Sequence, residues 1–286
     1  MNRLEAALNE AGGSVTRGVT MVSILSGKGG VGKSVIAFNL AERAAVAGRK
    51  TLLVDADLCC GNIHILANVD PDNGLDAFAL EQKNLTEAVC RYGENLDILA
   101  RSDSGPLPAL QDVTEVAKFA RQLRRQAGGY DLVIIDQGSG ISNTATLLAS
   151  AADSNLIVML PELTSISDSF GLCKFLYQAN QEIECQILIN RVESDQEANY
   201  LWTRFAAMSE RFLGRVPSLA GSLPEDKVVR KAVATQQTIA EVSPESNVVQ
   251  TLTGIVENLT GQHPAGGSRI SIYDINSTTA PADIRE

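Results

Sequence analysis

No Cys-x-x-Cys occurs in this 286-residue chain, and its two histidines, His64 and His263, are far apart in sequence. The five cysteines, Cys59, Cys60, Cys90, Cys173 and Cys185, are an odd set, so neither a structural zinc site nor a disulfide framework is expected. No apolar run reaches bilayer-spanning length, and Met1 to Val19 lacks the basic-then-apolar order of a secretory leader. A cytoplasmic location is therefore expected. Positive charge is also short, with 24 Lys and Arg against 34 Asp and Glu and a net charge of -10. That balance argues against a general nucleic-acid binder, although Arg204, Arg211, Arg215, Lys227, Arg230 and Lys231 leave a local basic patch open. Solvated helix faces explain those residues equally well. No Pro/Ser-rich linker divides the chain. One α/β domain over 20–260 is expected, between a polar tail at 1–19 and a polar, disordered tail at 261–286.

What is present is a regular alternation. Strand-like runs fall at Met21 to Leu25, Thr51 to Val54, Leu96 to Leu99, Leu132 to Ile135, Leu156 to Leu160, Gln186 to Ile189 and Ser218 to Gly221. Helical periodicity falls near Gly32 to Ala47, Asp112 to Ala127, Asn143 to Ala151, Ser165 to Ala179, Asp195 to Phe212, Glu225 to Ala234 and Glu245 to Leu259. Strands alternating with helices predict a doubly wound, mostly parallel sheet covered on both faces, and several runs are apolar throughout, as such burial requires. Ligands of such sheets sit beyond the carboxyl ends of the strands. In the last helix Val248, Leu252, Ile255 and Leu259 form one apolar stripe, expected to pack in the core.

Between the first strand and first helix lies Ser26-Gly27-Lys28-Gly29-Gly30-Val31-Gly32-Lys33-Ser34. Gly27, four residues, then Gly32-Lys33-Ser34 is a complete phosphate-binding loop. Its backbone N–H groups turn toward phosphate oxygens, Lys33 neutralises the β and γ charges, and the Ser34 hydroxyl ligates Mg²⁺. The helix that follows aims its first unpaired N–H groups and its positive dipole end at the same anion. ATP with Mg²⁺ is the expected ligand. Lys28 has no role in that scheme.

Two acidic motifs follow. The second strand run delivers Asp55 and Asp57, one suited to hold Mg²⁺ through water and the other to orient or deprotonate the attacking water. Capping of the next turn is the alternative for Asp57. The run Leu132 to Ile135 ends in Asp136, placed to accept from Mg²⁺-bound water or from Ser34, with Gly138 able to bring a backbone N–H near the γ-phosphate.

With these residues in order, Gly27 to Ser34 resembles the deviant Walker A signature of the MinD/ParA superfamily of P-loop ATPases. Val54 to Leu58 with Gly61-Asn62-Ile63 resembles its first switch, and Tyr130 to Ser142 its Walker B and second switch. The wording of Asp136 to Ser142, Pro161 to Asp168, Asn190 to Val192 and Leu223 to Val233 is most similar to the MinD-like flagellar-number regulators FlhG and FleN. The resemblance implies that Lys28 crosses a dimer interface to phosphates held by the other subunit, so that ATP binding and homodimerisation are linked. It implies catalytic roles for Lys28, Lys33 and Asp57, and a metal site at Ser34, Asp55 and Asp136. It implies a nucleotide cradle of Gly27, Lys28, Gly29, Gly30, Val31, Gly32, Lys33, Ser34 and Gly138. Asn190 would read the adenine edge, with Arg191, Pro224 and Glu225 around the base. Pro161-Glu162 would approach the ribose or the partner subunit, a structural turn being the alternative.

The implied function is a slow, Mg-ATP-dependent switch ATPase. It would control the placement, number or assembly of a cellular structure, flagella among the candidates, through a protein activator or cargo. The chain ends in Ser-Thr-Thr-Ala-Pro-Ala-Asp-Ile-Arg-Glu rather than an amphipathic anchor, so direct membrane binding is not expected, and recruitment to a pole or membrane would need a partner. Leu4-Glu5-Ala6-Ala7-Leu8 is a candidate docking element. Two other readings stay open: a ParA-like DNA-bound positioning ATPase, and a metabolic enzyme of the same fold that activates a carboxylate with ATP.

Overall fold

Continuous apolar runs become strands buried on both sides. The protein is represented by a computed structural model that describes residues 19–57, 61–72, 74–101, 110 and 112–261; the tail segment Leu4 to Leu8, Leu58, the Cys59-Cys60 pair, His263 and the polar end of the chain lie outside the described residues. The strands are β1 (Thr20–Leu25), β2 (Thr51–Ala56), β3 (Cys90–Arg91), β4 (Leu96–Leu99), β5 (Leu132–Gln137), β6 (Ser154–Met159), β7 (Cys185–Val192) and β8 (Ser218–Pro224). They form one sheet in the order β3-β4-β2-β5-β1-β6-β7-β8. Every neighbouring pair is parallel except β3 and β4, which makes the sheet mostly parallel, as expected from the alternation.

The helices are α1 (Lys33–Val46), α2 (Ile63–Leu66), α3 (Gly74–Ala79), α4 (Leu85–Ala88), α5 (Val113–Gln126), α6 (Asn143–Ala151), α7 (Leu163–Ala179), α8 (Asp195–Leu213), α9 (Lys227–Thr235), α10 (Ile239–Val242) and α11 (Asn247–Leu259). Because side chains alternate across a strand, β1 sends Val22 and Ile24 to one face and Met21 to the other. Val22 and Ile24 meet Ile36 and Leu40 of α1 and Leu252 of α11. On the opposite face Met21 joins Phe119 of α5 and Leu148 of α6, while Ile157 and Ile187 pack with Leu172 of α7 and Phe205 of α8. Fully burying each such aliphatic side chain contributes about 1.5–3 kcal/mol, so the two-sided cover is where most of the stabilisation arises.

The expected stripe on α11 is buried at Val248, Leu252 and Ile255 and partly buried at Leu259. Ala47, by contrast, lies just past α1 as its C-cap and is exposed, because Gly48 turns the chain at φ 81°. The short helices α2 to α4 and α10, and the two-residue β3, fall where no long period exists to announce them.

Candidate nucleotide-binding site

The loop between β1 and α1 is shaped by close packing. A Cβ on Gly27 would lie 2.4 Å from the carbonyl carbon of Asp168 in α7, so only glycine lets the loop lie against that helix. Gly32 caps α1 at φ 97°, a left-handed backbone that glycine adopts without strain, and no side chain caps the helix N-terminus. The first N–H groups of α1 are thereby left for an anion. Within the loop, the Ser26 hydroxyl donates to the Lys28 carbonyl at 2.6 Å, and the N–H of Gly140 donates to the Ser26 carbonyl at 2.9 Å. The second acidic segment is thus tied to the phosphate loop. Gly27→Ala is expected to weaken nucleotide binding at least tenfold while far-UV circular dichroism stays unchanged; a titration with a fluorescent nucleotide checks it.

Five of the candidate side chains, Lys33, Ser34, Asp55, Asp57 and Asp136, converge at this end of the sheet. Lys33 is buried at the first turn of α1, where burial pushes its ammonium down while Asp136 and Asp57 pull it back up. Asp55 and Asp136 stand directly opposite each other on β2 and β5. Burial pushes the Asp136 carboxyl up to about 8, helped by the charge of Asp55 and opposed by the Ser34 hydroxyl and Lys33. Asp55 is pushed up to about 6 by burial, although the N–H groups of Ile63, at 3.0 Å, and Asp57 donate to it. Asp57, at the end of β2, faces Gly138, whose Cβ position would lie 3.5 Å from its Oδ1.

Asp55 Oδ1 and both carboxylate oxygens of Asp136 are buried without a hydrogen bond of ordinary geometry. Buried oxygens left in that state suit a hard cation. Among the described residues no three His, Cys, Asp or Glu side chains close around a metal. Mg²⁺, which keeps several waters and uses few carboxylates, fits such a set when phosphate supplies the rest. Ser34, Asp55 and Asp136 are the residues that would hold it.

Lys28 is elsewhere. Its ammonium pairs with Glu162, just before α7, and lies 3.5 Å from the Thr164 hydroxyl, both near the surface. The Pro161-Glu162 loop therefore meets the loop lysine of its own chain in this structure.

A 480 Å³ cavity adjoins Gly32 and is lined by Asn190, Arg191, Pro224 and Glu225. Asn190 donates through Nδ2 to the Val31 carbonyl at 2.7 Å, and its Oδ1 can accept a hydrogen bond from a ligand donor. Arg191, at φ 62° in the left-handed region, pairs with Glu225, which also pairs with Arg230 on α9. The apolar walls, Val35, Val229, Val248 and Leu252 among them, carry no site signal in the sequence. Their signal there is ordinary helical periodicity, indistinguishable from core packing. The Glu162 pairing and the Asp168 contact span more than a hundred residues and have no local signal at all.

A glycine-rich strand-to-helix loop, a buried lysine beneath it and two aspartates on adjacent strand ends define a P-loop nucleotide-binding protein. The CobQ/CobB/MinD/ParA nucleotide binding domain matches residues 22–239, and the chain belongs to that family. It is similar to the antiactivator FleN of Pseudomonas aeruginosa, 27% identical over 272 residues that cover 88% of this chain and 97% of FleN. It is also similar to the flagellum site-determining protein YlxH of Helicobacter pylori, 23% identical over 252 residues that cover 87% of this chain and 84% of YlxH. The fold matches the septum site-determining protein MinD of Pyrococcus horikoshii in complex with Mg-ADP, with a TM-score of 0.67 and 23% identity over 84% of this chain and 96% of that one. Among the described residues no helix is long and apolar enough to cross a membrane.

Proposed function

We propose that the protein is a Mg-ATP-dependent dimerising switch ATPase that controls the placement, number or assembly of a cellular structure, flagella foremost. The observation that carries this reading is the split between two lysines of one loop. Lys33 is buried among Ser34, Asp57 and Asp136, whereas Lys28 lies at the rim, held by Glu162 near the surface. A cation so placed is available to a second copy of the chain. Likeness to FleN and YlxH along most of the sequence supports the flagellar role over the DNA-partitioning and ligase readings.

In this reading the N–H groups at the start of α1 and the ammonium of Lys33 bind and orient the β and γ phosphates. Mg²⁺, when bound, neutralises phosphate charge and polarises the γ-phosphoryl group. Asp57 holds the attacking water and takes its proton. Gly138, against Asp57, offers its backbone N–H to the γ-phosphate. Asn190 Oδ1 accepts from the adenine amino group, with Pro224 and Glu225 closing the base pocket. Lys28 leaves Glu162 and reaches the phosphates of the partner copy, so dimerisation reports the triphosphate. A protein activator or cargo engages the dimer, and hydrolysis resets it; any recruitment to a pole or membrane runs through such a partner.

Multi-angle light scattering tests this. The wild-type protein is expected to double in mass with Mg-ATP and to remain monomeric with Mg-ADP. Lys28→Ala is expected to bind ATP within a few-fold of wild type and yet stay monomeric. A Lys28→Ala dimer with Mg-ATP would remove the role in trans.

A further inference from the structure

Helix α8 carries a surface that the nucleotide site does not use. Tyr200, Arg204, Ala207 and Arg211 recur at helical spacing along its outer side. Tyr200 is 57% exposed, and Phe212, at the end of the helix, is 63% exposed. The two lie twelve residues apart, about 18 Å along the helix axis, and each stands beside an arginine. The Arg204 guanidinium lies 5.4 Å from the centre of the Tyr200 ring and donates to its hydroxyl, while Arg211 lies 5.0 Å from the centre of the Phe212 ring. Phe212 in turn meets Phe170 of α7 edge-on at 6.3 Å.

The charge of this surface runs against the rest of the molecule. The chain carries a net charge of -10, yet from Tyr200 to Pro217 the only carboxylate is Glu210, against Arg204, Arg211 and Arg215. Arg215 is paired with Glu184, whereas Arg204 and Arg211 make no ion pair among the described residues. Stacking on an aromatic face holds a guanidinium in place with donors to spare for a carboxylate, Arg204 spending one of its donors on the Tyr200 hydroxyl. At the middle of the stripe the small side chain of Ala207 keeps the helix surface low, so that a second helix can approach closely.

We propose that the α8 surface formed by Tyr200, Arg204, Arg211 and Phe212 docks an acidic amphipathic helix of a partner protein. The apolar side of that helix would lie along Tyr200 and Ala207 with one end beside Phe212, and its carboxylates would meet Arg204 and Arg211. A long polyanion is the poorer fit. Nucleic acid would bring charge far beyond these two arginines and across a protein of strongly negative sign. A short acidic helix feels chiefly the local cations, because solution screens charges beyond about 8 Å at physiological salt. The proposal does not depend on ATP-driven dimerisation.

The test uses the full-length protein with p-benzoylphenylalanine in place of Phe212, irradiated in its native cells, with adducts mapped by mass spectrometry. The expected adduct is to an acidic helical segment of one protein. It should fall at least tenfold with Arg204→Glu and Arg211→Glu together, fall less with both changed to Gln, and return when the mapped acidic residues are changed to Lys. The charge-reversed protein should keep the Mg-ATP-dependent mass in light scattering that wild type shows, which separates failure here from failure of the switch. An adduct to nucleic acid, to lipid or to a basic or neutral segment would overturn the proposal. So would the absence of any adduct, or an adduct insensitive to charge reversal.

Discussion

Replacing Asp57 with alanine is expected to slow ATP hydrolysis by about 10²–10⁴-fold, the usual contribution of a positioned general base. Nucleotide binding should change little. Asp57 faces Gly138 at the end of the site, while in the proposed reading the charge on the phosphates would be met by Lys33 and by the N–H groups of α1. The variant should therefore accumulate as an ATP-bound dimer. Phosphate release measures the first effect and light scattering the second. If the variant stays monomeric under saturating Mg-ATP, the reading of this protein as a dimerising switch fails.

A second large effect concerns pH and Mg²⁺. Unfolded aspartates release their protons near pH 4. In the folded protein without nucleotide, burial holds the protons of Asp55 to about 6 and of Asp136 to about 8. Across that window the folded chain binds more protons than the unfolded chain, so stability falls as pH rises from about 4 toward 8. Burial shifts Lys33 down from a value near 10.5, which on its own acts in the opposite sense to the two aspartates. Adjacent strands lie about 4.8 Å apart, and the hydrogen-bonded ladder keeps the facing carboxylates from separating. Their repulsion is relieved by a proton or a cation rather than by movement.

The expected result is a nucleotide-free protein that melts at lower temperature at pH 8 than at pH 5.5. Mg-ADP should raise the melting temperature more at pH 8. Asp136→Asn should melt several degrees higher than wild type at pH 8 without Mg²⁺, at about 2–4 °C per kcal/mol for a domain of this size. It should also lose most of the stabilisation by Mg-ADP. Thermal melts followed by circular dichroism measure all three, and a melting temperature that rises with pH would contradict the burial of these carboxylates as uncompensated charges.

The elements legible in the sequence were those with long, uniform patterns. Leu96–Leu99 and Asn143–Ala151 match their expected bounds, and the expected run at Thr51 to Val54 extends to Ala56. Strand β7 runs from Cys185 to Val192, longer than its apolar core, because parallel neighbours continue the ladder past the hydrophobic residues. Helix α7 starts at Leu163, ahead of Ser165, since Glu162 precedes it without capping it and its side chain serves Lys28 instead. In the site, the phosphate loop and the aspartates were legible because each is a local arrangement on a strand end. The contact of Gly27 with Asp168 and the walls of the base cavity arise only when helices far apart in sequence pack together.

The bond from Asn190 to the Val31 carbonyl joins the glycine-rich loop mechanically to the cavity proposed for the base. On that proposal, a ligand pressing on the cavity side would also fix the loop that wraps the phosphates, and a loop drawn around phosphate would steady the amide that meets the base. Adenosine alone and tripolyphosphate alone would each forfeit this mutual support, so their separate binding free energies should sum to less than that of ATP.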